Sequence, residues 1–153
     1  MVLWRICRAA RAINAFDGEG ARRNPGRWNR KDVAIVYCAS SLSLAALEYF
    51  VHVDADDFPG DLVAIRAELP DDVDVERIDV DRLPRDWRLA PGPSSLQDIG
   101  TEWAASLRTV ALLVPSAVVP VEHNILVNPG HPNISKLSQG VPEAFAFDPR
   151  MRK

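Results

Sequence analysis

The sequence predicts a single α+β domain over residues 1–153, with a mixed, mostly antiparallel β core flanked by helices. Two observations carry that expectation. Segments with strand character outnumber those with helix periodicity and do not alternate regularly with them, which argues against a doubly wound parallel sheet. The composition is that of an ordinary globular chain, 47% hydrophobic and 25% charged, without repeats, low-complexity tracts or a linker. A chain of this length buries one core without needing disulfides or a structural metal.

Taken in order, residues 2–7 (VLWRIC) read as a first strand. A turn-rich stretch follows at 17–32, DGEGARRNPGRWNRKD, whose glycines at 18, 20 and 26 and Pro25 suit a loop that approaches a ligand closely. Residues 33–38 (VAIVYC) are β-branched and aromatic, as in a buried strand. Ser40 or Ser41 then caps a helix over SLSLAALEYFVH. On that helix Leu44, Leu47 and Val51 share an apolar face, and Ala45, Glu48 and His52 form an adjoining stripe. Glu48 thus sits at an apolar border, where a carboxylate is costly unless something uses it.

Farther on, DLVAIRAELP and VERIDV read as strands, and Ser94 or Ser95 caps a helix over LQDIGTEWAASLR. TVALLVPSAVVP and HNILVNP read as buried strands, and AFAFD as a short last one.

Charge and motif content exclude several classes of function. The net charge is −3, but residues 1–31 hold eight Arg and Lys against two acids, while residues 54–102 hold fourteen acids against five arginines. A basic first third inside an acidic chain fits a small phosphorylated ligand better than nucleic acid. Cys7 and Cys38 form no CxxC or Cys/His spacing, which fits a reducing cytoplasm and gives neither a disulfide framework nor a zinc site. Arg5, Arg8 and Arg11 interrupt what a signal peptide would keep apolar, and Pro115 breaks the apolar run at 110–119, so neither export nor a membrane span is expected. There is no GxGxxG, no GxxxxGK and no GxSxG. His123 and His131 lie outside any HExxH, and no metal is assigned.

Arg27, Tyr37 and Glu48 form a loop arginine, a strand-end aromatic and a helix carboxylate within one turn-strand-helix unit. By residue type alone they also fit a loop salt bridge, a core aromatic and a helix surface charge. Trp28 reads as packing at the core edge, and Asn128 as a turn residue before Pro129.

The chain resembles the RES domain. GRWN at 26–29, VY at 36–37, SLSLAALE at 41–48 and VH at 51–52 match its first half; IGTEW at 99–103, VPSAVVPVEHNILVNPGHP at 114–132 and FDPRM at 147–151 match its second. Pro25 departs from the family pattern where glycine is common, and Thr101 where an acid is common. The family is named for an Arg, a Glu and a Ser, matched here by Arg27, Glu48 and Ser116.

The resemblance implies a fold related to ADP-ribosyltransferases and a toxin of a bacterial toxin–antitoxin pair. It implies NAD+ as substrate, cleaved at the nicotinamide–ribose bond by hydrolysis or phosphorolysis; mono-ADP-ribosylation of a protein is the alternative, and an inert antitoxin-binding domain a third. It further implies an Xre-type helix-turn-helix antitoxin as partner, with a homo-oligomer left open. Glu48 is then the carboxylate facing the ribose and Arg27 the diphosphate ligand, with Arg5 as a second. Tyr37 is placed to stack on nicotinamide or ribose and to donate through its phenol. Ser116 bonds the carboxamide, the ribose or Glu48, and Asn124 bonds a ligand amide.

Overall fold

The computed structural model describes residues 1–53 and 58–152. Its strands are β1 (Val2–Arg8), β2 (Val36–Ala39), β3 (Leu62–Glu68), β4 (Val75–Arg77), β5 (Ala111–Pro115), β6 (His123–Val127), β7 (Ser138–Gln139) and β8 (Glu143–Phe145). Its α-helices are α1 (Glu19–Arg23), α2 (Leu42–Phe50) and α3 (Ser94–Ser106). The strands form one sheet in the order β4-β5-β6-β2-β1-β3-β7, with β8 also beside β3. Every pairing is antiparallel except β4 with β5. The fold is therefore α+β with a mixed, mostly antiparallel sheet.

One feature of this sheet positions the site. β1 pairs with β3 along its whole length, from Val2↔Glu68 to Arg8↔Leu62, but meets β2 at Trp4↔Ala39 alone. The two halves of the sheet thus part at their centre, and a cleft opens between β1 and β2. In the gap the Arg5 guanidinium takes over the task of a ladder bond, Nη1 donating to the Tyr37 carbonyl at 2.7 Å.

Three apolar clusters hold the two halves. Leu3, Val36, Ile65, Ile125 and Val127 fill one. A second packs α3 through Leu96, Trp103 and Ala104 against Trp28, Leu112, Val114 and Leu126. Its closest approach requires Gly100, where a Cβ would lie 1.9 Å from the Trp28 carbonyl oxygen. In the third, Leu44 and Ala45 of α2 pack on Ile6, Ala39 and Ala64, while Tyr49, Phe50, Phe58 and Phe147 build an aromatic cluster at the helix end.

The structure differs from the sequence-based expectation at several elements. On α2 the buried residues are Leu44 and Ala45, whereas Leu47 and Val51 are 37% and 53% exposed. The small Ala45 lets the helix approach the sheet on that side, so the inward face takes Leu44 from the expected apolar face and Ala45 from the adjoining stripe, whose His52 is exposed. Ser41 is the N-cap, its Oγ accepting from the Leu44 amide at 3.1 Å. For α3 the cap is Pro93 in extended conformation, with Ser94 and Ser95 already inside the first turn.

The 17–32 stretch contains the short α1, opened by Gly18 at φ 73°. β2 begins at Val36, three residues late, and β4 stops at Arg77 where the expected strand ran to Val80, the first residue of a 3₁₀ turn over Val80–Arg82. β7 carries no sequence signal, being two exposed residues paired with Ala67 and Glu68.

Candidate active site

The cleft between β1 and β2 has a volume of about 1070 Å³. Glu48 enters it from α2, which the Ser41 cap and the Leu44–Ala45 contact fix against the sheet. Its Oε1 accepts two short hydrogen bonds, from Ser116 Oγ at 2.6 Å and from Asn124 Nδ2 at 2.6 Å. No hydrogen bond from a described residue reaches Oε2, so one carboxylate oxygen is clamped and the other is available.

Ser116 follows β5 and is wholly buried. Its Oγ accepts from the Val118 and Val119 amides at 3.1 and 2.9 Å, which directs its single hydrogen to Glu48. The turn carrying it is closed by Ser116 N donating to the Glu122 carbonyl at 3.0 Å. Asn124 stands on β6, opposite Ala39 and Val114.

The 24–33 loop is organised by Asn29, which is fully buried. Its Oδ1 accepts from the Gly26 amide at 2.9 Å and the Tyr37 hydroxyl at 2.8 Å, and Nδ2 donates to the carbonyls of Ala21, Arg30 and Val33. Tyr37 also accepts from the Trp28 amide at 2.9 Å. Its phenol is therefore engaged by the loop rather than free to donate to a ligand, which leaves the ring as its cleft-facing surface. Burial pushes this phenol well above its ordinary value, so it stays a protonated donor. Gly26 is required there, because a Cβ would sit 2.7 Å from the Tyr37 hydroxyl.

Arg27 leaves the same loop and donates from Nη1 to the carbonyls of Trp87 and Leu89 at 2.6 and 2.9 Å. Burial draws its guanidinium below its ordinary value, opposed by the Glu48 charge and then by Tyr37. Arg5 reaches the cleft from β1; its Nε is buried without a hydrogen-bond partner, the only such side-chain atom among the described residues. An orphaned buried donor of this kind calls for a ligand or water acceptor. Beside it, burial pushes the Cys38 thiol up to about 12.

Five of the residues singled out in the sequence thus line one cleft: Arg5, Arg27, Tyr37, Glu48 and Asn124. Ser116 stands behind the wall and reaches the site through Glu48. Sequence reasoning assigned no role to Asn29, although it sits in the GRWN motif, nor to Gln97, whose Nε2 donates to the Gly26 carbonyl at 3.0 Å, nor to Arg88, which also lines the cleft.

Trp28 is 2% exposed and packs with Trp87, Leu96 and Trp103. In the turn after β6, Asn128 donates from Nδ2 to the Ala104 carbonyl of α3 and accepts from the Gly130 amide, and His131 Nδ1 accepts from the Asn133 amide to cap a 3₁₀ turn. Among the described residues no group of three or more His, Cys, Asp or Glu side chains is placed to hold a metal, and no helix is long and apolar enough to cross a membrane.

The RES domain profile matches residues 2–148. The chain belongs to the RES domain family. Among its relatives, a protein designated Toxin Res from Yersinia enterocolitica is 39% identical over 153 residues, covering 99% of this chain and 100% of its own. A Prs ADP-ribosylating toxin from Sphingobium sp. is 41% identical over 152 residues, covering 97% and 94%. In fold, this RES domain is similar to a chain in the crystal structure of the M. tuberculosis MbcT-MbcA toxin-antitoxin complex, with a TM-score of 0.77, 20% identity and coverage of 99% and 86%.

Proposed function

We propose that this RES domain is the toxin of a bacterial toxin–antitoxin pair and that it depletes cytoplasmic NAD+ by breaking the nicotinamide–ribose bond. The observation that carries the reading is Glu48, held at Oε1 by Ser116 and Asn124 and with no hydrogen bond from a described residue at Oε2, in a cleft shared with Arg5 and Arg27. The C–N bond breaks with its electron pair leaving on nicotinamide, which neutralises the pyridinium and leaves positive charge on the ribose. A fixed carboxylate stabilises that charge and accepts from the ribose 2′-hydroxyl. Arg27 and Arg5 supply donors to the diphosphate, and the Tyr37 ring covers the nicotinamide or ribose.

Water then adds to the ribose and loses a proton, giving ADP-ribose; attack by phosphate gives a phosphorylated ADP-ribose instead. The designation of the Sphingobium relative favours a second reading, in which the acceptor is a protein side chain. Under either reading the partner is an antitoxin of the Xre helix-turn-helix class covering the cleft, and the toxin itself does not bind nucleic acid.

The test is to incubate the purified protein with NAD+, with and without phosphate, and to follow nicotinamide beside a Glu48→Ala control. Nicotinamide release by the wild type and not by the variant supports cleavage, and phosphate dependence separates phosphorolysis from hydrolysis. Absence of release without a protein acceptor, with a mass gain on an added protein, moves the assignment to protein ADP-ribosylation.

A further inference from the structure

Arg27 reaches the cleft with part of its donor set already committed. A guanidinium carries five N–H groups in one rigid plane, and the two on Nη1 go to the Trp87 and Leu89 carbonyls at 2.6 and 2.9 Å. No other hydrogen bond or ion pair joins Arg27 to a described residue, so its remaining donors lie along the Nε–Nη2 edge.

The two carbonyls belong to the loop at 84–92 that leads into α3, and Gly92 closes over the same nitrogen. A Cβ at Gly92 would lie 2.5 Å from Arg27 Nη1 and 3.3 Å from its Cζ. At its other side the loop sends Arg88 Nε to the Ala117 carbonyl at 3.2 Å, next to the residue whose hydroxyl holds Glu48. One loop therefore touches both the arginine and the residue that follows the support of the carboxylate.

A guanidinium can present either its Nη1–Nη2 end or its Nε–Nη2 side to a phosphate, each as a bidentate fork. Occupying Nη1 removes the first choice. We infer that the loop at 84–92, through Gly92 and the carbonyls of Trp87 and Leu89, positions Arg27 to take one phosphate of the dinucleotide on its Nε–Nη2 edge. Gly92 is then a positioning residue that sets NAD+ affinity through Arg27. The inference rests on the NAD+ reading above.

The test is a double-mutant cycle read by calorimetric titration with ADP-ribose, which carries the diphosphate and no scissile bond. Gly92→Ala displaces the far end of a flexible side chain, so the fold survives, as a thermal melt will verify. Gly60→Ala serves as control, since no atom of a described residue lies within 4 Å of a Cβ there. Gly92→Ala should weaken ADP-ribose binding by about 10-fold or more in the wild-type background and by less than about 2-fold once Arg27→Ala is present.

In turnover the same substitution should raise KM for NAD+ with kcat held within about 3-fold. Unchanged binding in Gly92→Ala, or an equal loss with and without Arg27, would overturn the positioning role while leaving NAD+ cleavage standing. Failure of the wild type itself to bind ADP-ribose would overturn this inference, while absence of nicotinamide release would overturn the NAD+ reading on which it rests.

Discussion

Replacing Ser116 by alanine separates what the Glu48 clamp does for catalysis from what it does for stability. The hydroxyl makes three hydrogen bonds in a fully buried position: it donates to Glu48 Oε1 at 2.6 Å and accepts from the Val118 and Val119 amides at 3.1 and 2.9 Å. A hydrogen bond to a charged group contributes about 1.5–3 kcal/mol. If that energy serves to hold the carboxylate where charge develops, its loss lowers kcat by roughly 10- to 150-fold. Asn124 still holds Oε1 at 2.6 Å, so activity falls without vanishing.

KM should change little, because Ser116 is buried behind the cleft wall. Each of the two orphaned amides costs a further ~1–3 kcal/mol of folding stability, a fall in Tm of ~2–12 °C apiece for a chain of this size. The assay is nicotinamide release at saturating NAD+ beside a thermal melt. A destabilised variant with wild-type kcat would refute the clamp. A variant as inactive as Glu48→Ala would make Ser116 itself a reacting group and refute its role as a support.

Four further outcomes are expected. Glu48→Gln keeps the side-chain shape but removes the charge, and nicotinamide release should drop ~10²–10³-fold while calorimetry shows ADP-ribose affinity within about 3-fold. Asn29→Asp should destabilise the protein more than Asn29→Ala in denaturant titrations, despite the closer shape, because it turns a buried carboxylate towards the carbonyls of Ala21, Arg30 and Val33. Gly100→Ala would place a Cβ 1.9 Å from the Trp28 carbonyl oxygen, where only backbone can yield; a loss of about 3 kcal/mol or more, lowering Tm by ~6–12 °C, should appear in a melt.

The last concerns alkaline pH. Burial raises the Cys38 thiol from 9.0 to about 12, and shifts Tyr37 and Cys7 upward as well. Groups that hold their protons more tightly when folded contribute stability below the ordinary value and lose it as pH rises through the folded one. Unfolding free energy should therefore decline from pH 9.0 toward about 12, and Cys38→Ala should flatten that decline.

Local signals were sufficient around Ser41, although they misplaced the cap of α3, which is Pro93. The β-branched run before Ser41, the serine cap and the helix after it are decided within a dozen residues, and the structure places a strand, a cap and a helix there. Arg27, Glu48 and Ser116 were legible through motif resemblance, as were Tyr37 and Asn124 as cleft residues. Helix periodicity misled at α2, because Leu47 and Val51 are spaced like core residues and stand exposed. Periodicity reports which residues share a face; which face turns inward depends on what it meets, here Ile6, Ala39 and Ala64 from two distant strands.

The sequence by itself determined the α+β class, the β2–α2 unit and the identity of the polar residues, since composition, capping and motif are carried by short stretches of chain. Only the tertiary structure decided that β1 and β2 part after a single pair, that Ser116 and Asn124 meet on one oxygen of Glu48 across 68 and 76 residues of sequence, and that Asn29 consumes the Tyr37 hydroxyl. These are long-range pairings, and their geometry is set by how the half-sheets, α2 and the loops pack, which no local pattern encodes.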